Sequence, residues 1–354
     1  MKKSLLALAA LTAFAGVASA QSSVTLFGVL DVNARNQDNS GPGGSIKSLS
    51  TDGNASSRLG FRGVEDLGGG MRAGFWLEAG VNPDVGTTNA KFFNRRSTVS
   101  LMGGFGEIRL GRDYTPTFWN QTVFDPFGTN GVGAQTNLMS QISGAGAAAS
   151  GSVLNSGAAT QVRADNTIGY FLPALGGIYG QAMVAAGEGT IGNKYFGGRL
   201  GYAAGPVNVA VSAGKTEITP ALDLKTANIG GSFNIGFMTL MGQFHRSEFD
   251  GPGINREQTN WLAGVTVPLG AGTFKASYGK VDTDVTNTQE VSANQIAVGF
   301  VYDLSKRTAL YTHVSRIDND AGARFVTSGS GASLPANISG RTSKGYEFGV
   351  RHSF

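Results

Sequence analysis

Past residue 20 the chain alternates apolar and polar positions with a period of two. In Ser343–Phe354, Tyr346, Phe348, Val350 and Phe354 share one face, and Glu347, Gly349 and Arg351 the other. Thr273–Lys280 sets Phe274, Ala276 and Tyr278 against Lys275, Ser277 and Gly279. Met71–Gly80 sets Met71, Ala73, Phe75, Leu77 and Ala79 against Arg72, Gly74, Trp76 and Glu78, and Ser57–Gly63 sets Leu59 and Phe61 against Arg58, Gly60 and Arg62. No 3.6-residue period lasts beyond a turn or two, and no apolar run reaches the roughly 18 residues of a membrane-spanning helix. Strands of a soluble sandwich alternate too. These differ in being long, about 10–13 residues against the usual 5–6, and in carrying charges and glycines on the second face, which suits a wet lumen.

The connections alternate as well. Short turns fall at 67–70, 103–106, 173–177, 205–206, 234–236, 268–272 and 304–307. Longer polar loops fall near 36–53, 82–91, 189–193, 218–224, 250–256, 285–290 and 319–341, and a far longer one spans 114–160. Short turns at one end and long loops at the other describe a membrane barrel. Lipid offers the backbone no hydrogen bonds, so every strand edge must pair and the sheet must close. The predicted fold is all-β: an antiparallel transmembrane β-barrel of about sixteen strands over residues 21–354, enclosing an aqueous channel.

Residues 1–20 read as an export signal rather than as part of that fold. Lys2 and Lys3 precede the apolar run Leu5–Val17, and Ala18-Ser19-Ala20 is a cleavage site. Loss of the two lysines takes the 28 basic residues to 26 against 24 acidic, a net charge of +2. With no dense Lys/Arg run, nucleic-acid binding is excluded. The chain has no Cys, so disulfides and thiolate chemistry are excluded, and its three scattered histidines (His245, His313, His352) form no zinc set. No Ser/His/Asp constellation has a plausible spacing, so neither an enzyme nor a cofactor or metal site is expected. The 54 glycines follow no collagen period.

Several segments, in order along the chain, resemble the Gram-negative trimeric general porins, most nearly the anion-preferring porins of β-proteobacteria. They are Gln21–Gly28 (QSSVTLFG), Ser57–Gly70 (SRLGFRGVEDLGGG), Ala73–Glu78 (AGFWLE), Arg95–Leu101 (RRSTVSL), Phe105–Arg112 (FGEIRLGR), Leu304–Tyr311 (LSKRTALY) and the ending Gly349–Phe354 (GVRHSF). The resemblance implies a homotrimeric barrel of sixteen strands in the outer membrane, amid lipid and lipopolysaccharide, passing ions and small hydrophilic solutes by diffusion. It implies that the third long loop folds into the lumen, and that Phe354 is read by the barrel-insertion machinery.

Pore chemistry is pore width plus the field of lumenal charges. Parity turns Arg58 and Arg62 inward opposite Leu59 and Phe61, Arg72 and Glu78 opposite Phe75 and Leu77, and Glu107, Arg109 and Asp113 opposite Ile108 and Leu110. It turns Arg163 and Asp165 inward opposite Ile168 and Tyr170. The resemblance carries over Arg58, Arg95 and Arg163 as the basic side of the constriction. Arg95 and Arg96 point to opposite faces of one strand. The apolar set Phe93, Val99 and Leu101 puts Arg96 in the lumen, whereas the resemblance favours Arg95. We side with Arg95, leaving Thr98 and Ser100 to face a neighbouring subunit. Residues 114–160 contain no Lys or Arg and one acid, Asp125. The arginines are thus expected to be under-compensated by Glu78, Asp113 and Asp125, giving a mild anion preference. A channel specific for sugars or organic anions is the alternative. Phe118, Trp119, Phe124 and Phe127 are expected to pack this loop on the wall rather than form a sugar slide, and Gly144–Ala159 reads as a flexible tail.

Overall fold

In the computed structural model, residues 23–41, 44–139, 160, 162–188, 194–286, 289–327 and 339–354 are described. The export signal and the Gly144–Ala159 tail lie outside them. The strands are β1 (Ser23–Asn39), β2 (Gly44–Thr51), β3 (Arg58–Gly68), β4 (Met71–Asn82), β5 (Thr87–Thr88), β6 (Arg96–Gly103), β7 (Gly106–Tyr114), β8 (Arg163–Phe171) and β9 (Ile178–Ala185). They continue as β10 (Lys194–Ala204), β11 (Val207–Thr219), β12 (Leu222–Asn234), β13 (Thr239–Gly251), β14 (Ile254–Leu269), β15 (Gly272–Thr286), β16 (Gln289–Asp303), β17 (Thr308–Asn319) and β18 (Ser343–Ser353). Among the described residues one α-helix, α1 (Pro116–Val123), interrupts them.

Each strand pairs antiparallel with its neighbours, and β1 closes the ring on β18, from Val29↔Ser353 to Asn39↔Ser343. β2 and β3 are stacked on β1 as two halves of one stave, opposite Val32–Asn39 and Ser23–Val29 respectively. β5 is a two-residue addition to the end of β4. The wall is therefore a closed barrel of sixteen staves. The alternation read from the sequence is its inside–outside code. Tyr346, Phe348 and Val350 are exposed on the outer surface with Leu200, Ile229, Phe244 and Ile296, while Ser343 and Glu347 are buried within. A continuous apolar exterior is what a hydrocarbon surround requires.

Two expectations about the connections are corrected. The segment 36–53 is not a loop, since the end of β1 and the whole of β2 occupy most of it. The segments at 218–224 and 250–256 are tight hairpins at the ends of strands 13–16 residues long, and the described residues of 285–290 belong to β15 and β16. Their charged composition reads as loop in one dimension. In the sheet those charges meet partners on neighbouring strands: Asp223 pairs with Lys215 at 2.7 Å and Asp250 with Lys225 at 2.5 Å.

The lumen is not wholly wet. The loop after β7 turns inward as α1, whose first turn is capped by Thr115 Oγ1 accepting from Phe118 N. The loop then crosses to the far wall and ends, within the described residues, in a short 3₁₀ turn at Gln135–Leu138. There Leu138 packs with Val281, Val291, Ala293 and Ile317 of the wall and with Ala323 and Phe325 of the loop after β17.

Candidate functional site

Where β3, β4, β6 and β7 reach the inward loop, a cavity of about 450 Å³ is lined by Phe27, Arg58, Trp76, Glu78, Arg95, Arg96, Asp113, Tyr114 and Trp119. Glu78 is its acidic centre. Its Oε1 accepts from Arg95 Nε at 2.6 Å and lies 3.7 Å from Arg58 Nη1, and its Oε2 accepts from the Trp76 indole N–H at 2.9 Å. Arg163 joins from β8. Its Nε donates to the Arg95 carbonyl at 2.8 Å, and its guanidinium lies 4.2 Å over the Tyr114 ring. Asp113, the second carboxylate, binds Arg109 at 2.5 Å and lies 3.7 Å from Arg96.

Arg95 and Arg96 both turn inward. β6 begins at Arg96, so Arg95 sits in a bend ahead of the strand and the pleat's alternation does not bind it. Arg96 stacks 4.6 Å over Trp76 and donates to Thr98 Oγ1. Thr98 and Ser100 face the interior, not a neighbouring subunit, and Ser100 donates to Glu107 at 2.7 Å. Arg163 reaches the cluster in spite of a register shift, between Gly111 and Asp113, that breaks the parity used to place it. Asp165 turns away to Lys91 and Arg112.

The other predicted basic residues stand at different levels. Arg62 is exposed, 5.3 Å from the centre of the Phe27 ring and 5.1 Å from that of Trp76. Arg109 is buried between Glu107 and Asp113, with its guanidinium 4.0 Å over Phe171. Arg72 is exposed beside the short turn after β3, six residues along β4 from Glu78, or about 20 Å.

Asp125 is not a counter-charge to the arginines. It is buried at the root of the inward loop, where its carboxylate accepts from the backbone N–H groups of Phe127, Thr129 and Gln135 at 2.9–3.1 Å. Burial pushes its carboxyl above the ordinary value, and these N–H groups and Lys275 pull it back. The inward loop thus sets against the arginines no acid of its own among the described residues.

Of the four loop aromatics, Phe124 and Phe127 are buried against the wall, and Phe118 stacks 5.2 Å from Tyr114. Trp119 is half-buried and faces the cavity, edge-on to Tyr114 at 5.8 Å. The seat for the loop is made by missing side chains. A Cβ on Gly230 would lie 2.2 Å from Phe124, on Gly264 2.5 Å from Pro126, and on Gly345 2.7 Å from Val132. Polar ties fix it further: Asn120 Nδ2 donates to Asn228 and the Ala210 carbonyl, Gln295 to the carbonyls of Gly133 and Ala134, and Glu347 accepts from Val132 N.

Trp76, Tyr114, Lys275 and Asp31 were not singled out from the sequence. Trp76 and Lys275 share the parity of the lumenal charges, which was the available signal. Tyr114 ends β7, and Asp31 is buried on β1 where the register jumps between β2 and β3, which alternation does not reveal.

Comparison with known proteins agrees with this architecture. Residues 7–322 match the family model described as Gram-negative porin. Outer membrane porin protein 32 of Delftia acidovorans is 36% identical over 365 residues, covering 100% of each chain. The major outer membrane protein P.IB of Neisseria gonorrhoeae is 26% identical, over 94% of this chain and 98% of its own. Among solved structures, the anion-selective porin from Comamonas acidovorans superposes with a TM-score of 0.82 at 34% identity, covering 94% of this chain and 100% of its own. The trimer form of OmpT from Vibrio cholerae, at 13% identity and a TM-score of 0.69 over 94% and 99% of the two chains, shares the fold. A closed, externally apolar barrel with an inward loop, matched in sequence over its whole length, belongs to the Gram-negative porin family of outer-membrane diffusion channels.

Proposed function

We propose that the chain is a general diffusion porin with a mild preference for anions, set by Arg58, Arg95, Arg96 and Arg163. The observation that carries this reading is a count of charges. Four guanidiniums meet two carboxylates, Glu78 and Asp113, and the loop facing them has one acid, already committed to backbone N–H groups. Charge in a narrow aqueous passage with low-dielectric walls favours counter-ions without binding them tightly. The name of the Comamonas relative, an anion-selective porin, supports the same reading.

The working form is a homotrimer in outer-membrane lipid and lipopolysaccharide. The trimer form of OmpT supports the assembly, and the apolar exterior supports the surround. Phe354, whose ring lies against Gly28 of β1, serves the insertion machinery as a recognition aromatic. Residues 1–20 are the cleaved export signal.

The test is the reversal potential across a salt gradient in planar bilayers. Wild type is expected to favour anions and Arg163→Ala to lose much of that bias. An unchanged potential in the variant would remove Arg163 from the selectivity determinants, and a cation-selective wild type would overturn the reading. A sugar-specific channel would instead show saturable block by its substrate. It finds less support, because of the loop aromatics Phe118, Phe124 and Phe127 are buried, Phe118 on Tyr114, and Trp119 alone of the four faces the cavity.

A further inference from the structure

Between β2 and β3 the chain leaves the wall. Val32 pairs with Thr51 and Val29 with Arg58, so β1 advances three residues while its neighbour advances seven. The four surplus residues turn into the lumen, where Asp31 of β1 holds them. Its carboxylate accepts from the backbone N–H groups of Gly53 at 3.2 Å, Asn54 at 3.0 Å and Ala55 at 2.8 Å, and from the Tyr311 hydroxyl. Its own N–H donates to Ser57 Oγ at 3.0 Å, and its carbonyl accepts from Thr51 Oγ1 and Ser57 Oγ. Asp31 is fully buried at 0% exposure. Asp52 starts the turn in the left-handed region at φ 63°, and its Oδ1 accepts from Ser57 N at 2.6 Å.

The far side of this turn touches two other elements. Ser56 Oγ donates to Asn130 Oδ1 of the inward loop at 2.8 Å, and Lys275 Nζ of β15 donates to Asn54 Oδ1 at 3.2 Å. A Cβ on Gly131 of the loop would lie 2.2 Å from the Gly53 carbonyl oxygen. Asn54, Ala55 and Ser56 are half-buried, so the turn occupies lumen. Because the surplus is an even number, the pleat resumes in phase and Arg58 still faces inward.

We infer that residues 52–57 form a second constriction element, latched by Asp31, which narrows the channel together with the long loop and fixes the level of Arg58. Without the carboxylate, three backbone donors lose their acceptor, and the turn loses what fixes it in the lumen.

Deletion of Gly53–Ser56 removes the surplus and restores a continuous stave in register and in phase. We expect that variant to conduct with a unitary conductance above the wild-type distribution, and to admit uncharged tri- and tetrasaccharides faster in liposome swelling. Uncharged sugars keep this readout independent of the anion preference proposed above. Asp31→Ala is expected to raise conductance with added flicker. Tyr311→Phe, which keeps the ring and removes one donor, is expected to give a smaller gain in the same direction. Wild-type or lowered conductance and swelling, in whichever of the three variants folds into channels, would overturn the inference.

Discussion

The inner wall has two halves built on the same alternation and doing opposite things. From β3 to β8 the inward positions are long and cationic. Arg62 and Arg96 lie over Trp76, Arg109 over Phe171 and Arg163 over Tyr114, at 4.0–5.1 Å. A stacked guanidinium is held by its weakly hydrated flat face and keeps N–H edges for water or a passing solute. From β12 to β18 key inward positions have no side chain, and Phe124, Pro126 and Val132 of the loop fill the space. Parity therefore says which residues face inward. Whether the inward face stays wet depends on side-chain volume and on what the chain lays over it.

If the second half is a seat, its polar anchor should matter more to stability than any charge of the first. Glu347 is buried at 3% exposure, accepts from Arg35 Nε at 3.1 Å and from Val132 N at 3.3 Å, and lies 2.8 Å from His313 Nδ1. Glu347→Ala takes the carboxylate from the buried Arg35 guanidinium and is expected to cost about 3–5 kcal/mol. Denaturant unfolding of the purified channel would read it as a lowered midpoint, with noisier conductance from the loosened loop. Arg163→Ala, whose guanidinium is half-buried and rests on a ring and a carbonyl, should cost about 1 kcal/mol. Equal midpoints for the two variants would erase the distinction between the halves.

The glycines permit a finer comparison. Gly230→Ala forces a methyl to within 2.2 Å of Phe124 and should cost about 1–3 kcal/mol by overpacking. Gly242, on the outward parity of β13, has no contact nearer than the Leu262 carbonyl oxygen at 3.6 Å. Gly242→Ala should be neutral to within about 0.5 kcal/mol. Thermal melts of the pair decide it, since equal melting would mean that the loop is not seated on Gly230.

The barrel was legible because lipid makes alternation compulsory: Ser343–Phe354 and Met71–Gly80 announce inside and outside without help from tertiary contacts. What escaped is what alternation does not encode. The polar ends of β11 to β16 read as loops because their charges are compensated by residues distant in sequence, as Lys225 is by Asp250. Arg95 and Arg96 looked like alternatives because the pleat rule was extended one residue beyond the strand it governs. Asp125 looked like a counter-charge because it is the only acid of a long segment, whereas its surroundings are three backbone N–H groups. Asp31 has ordinary lumenal parity, and its role shows only in the register difference between β2 and β3.

The smallest expected effect tests whether the first half is organised by its aromatics or by its charges alone. Trp76 holds Arg96 at 4.6 Å and Arg62 at 5.1 Å, and gives its indole N–H to Glu78. Trp76→Leu keeps every charge but removes the surface on which two guanidiniums rest, a loss of about 0.5–2 kcal/mol of cation–π attraction. The freed side chains should swing toward the carboxylates, and the reversal potential should move toward zero by less than in Arg163→Ala. Trp76→Phe retains a ring and loses only the N–H, so it should recover most of the wild-type value. If Leu and Phe give the same potential as wild type, the guanidiniums hold their places without the ring, and the aromatic faces of this wall only fill space.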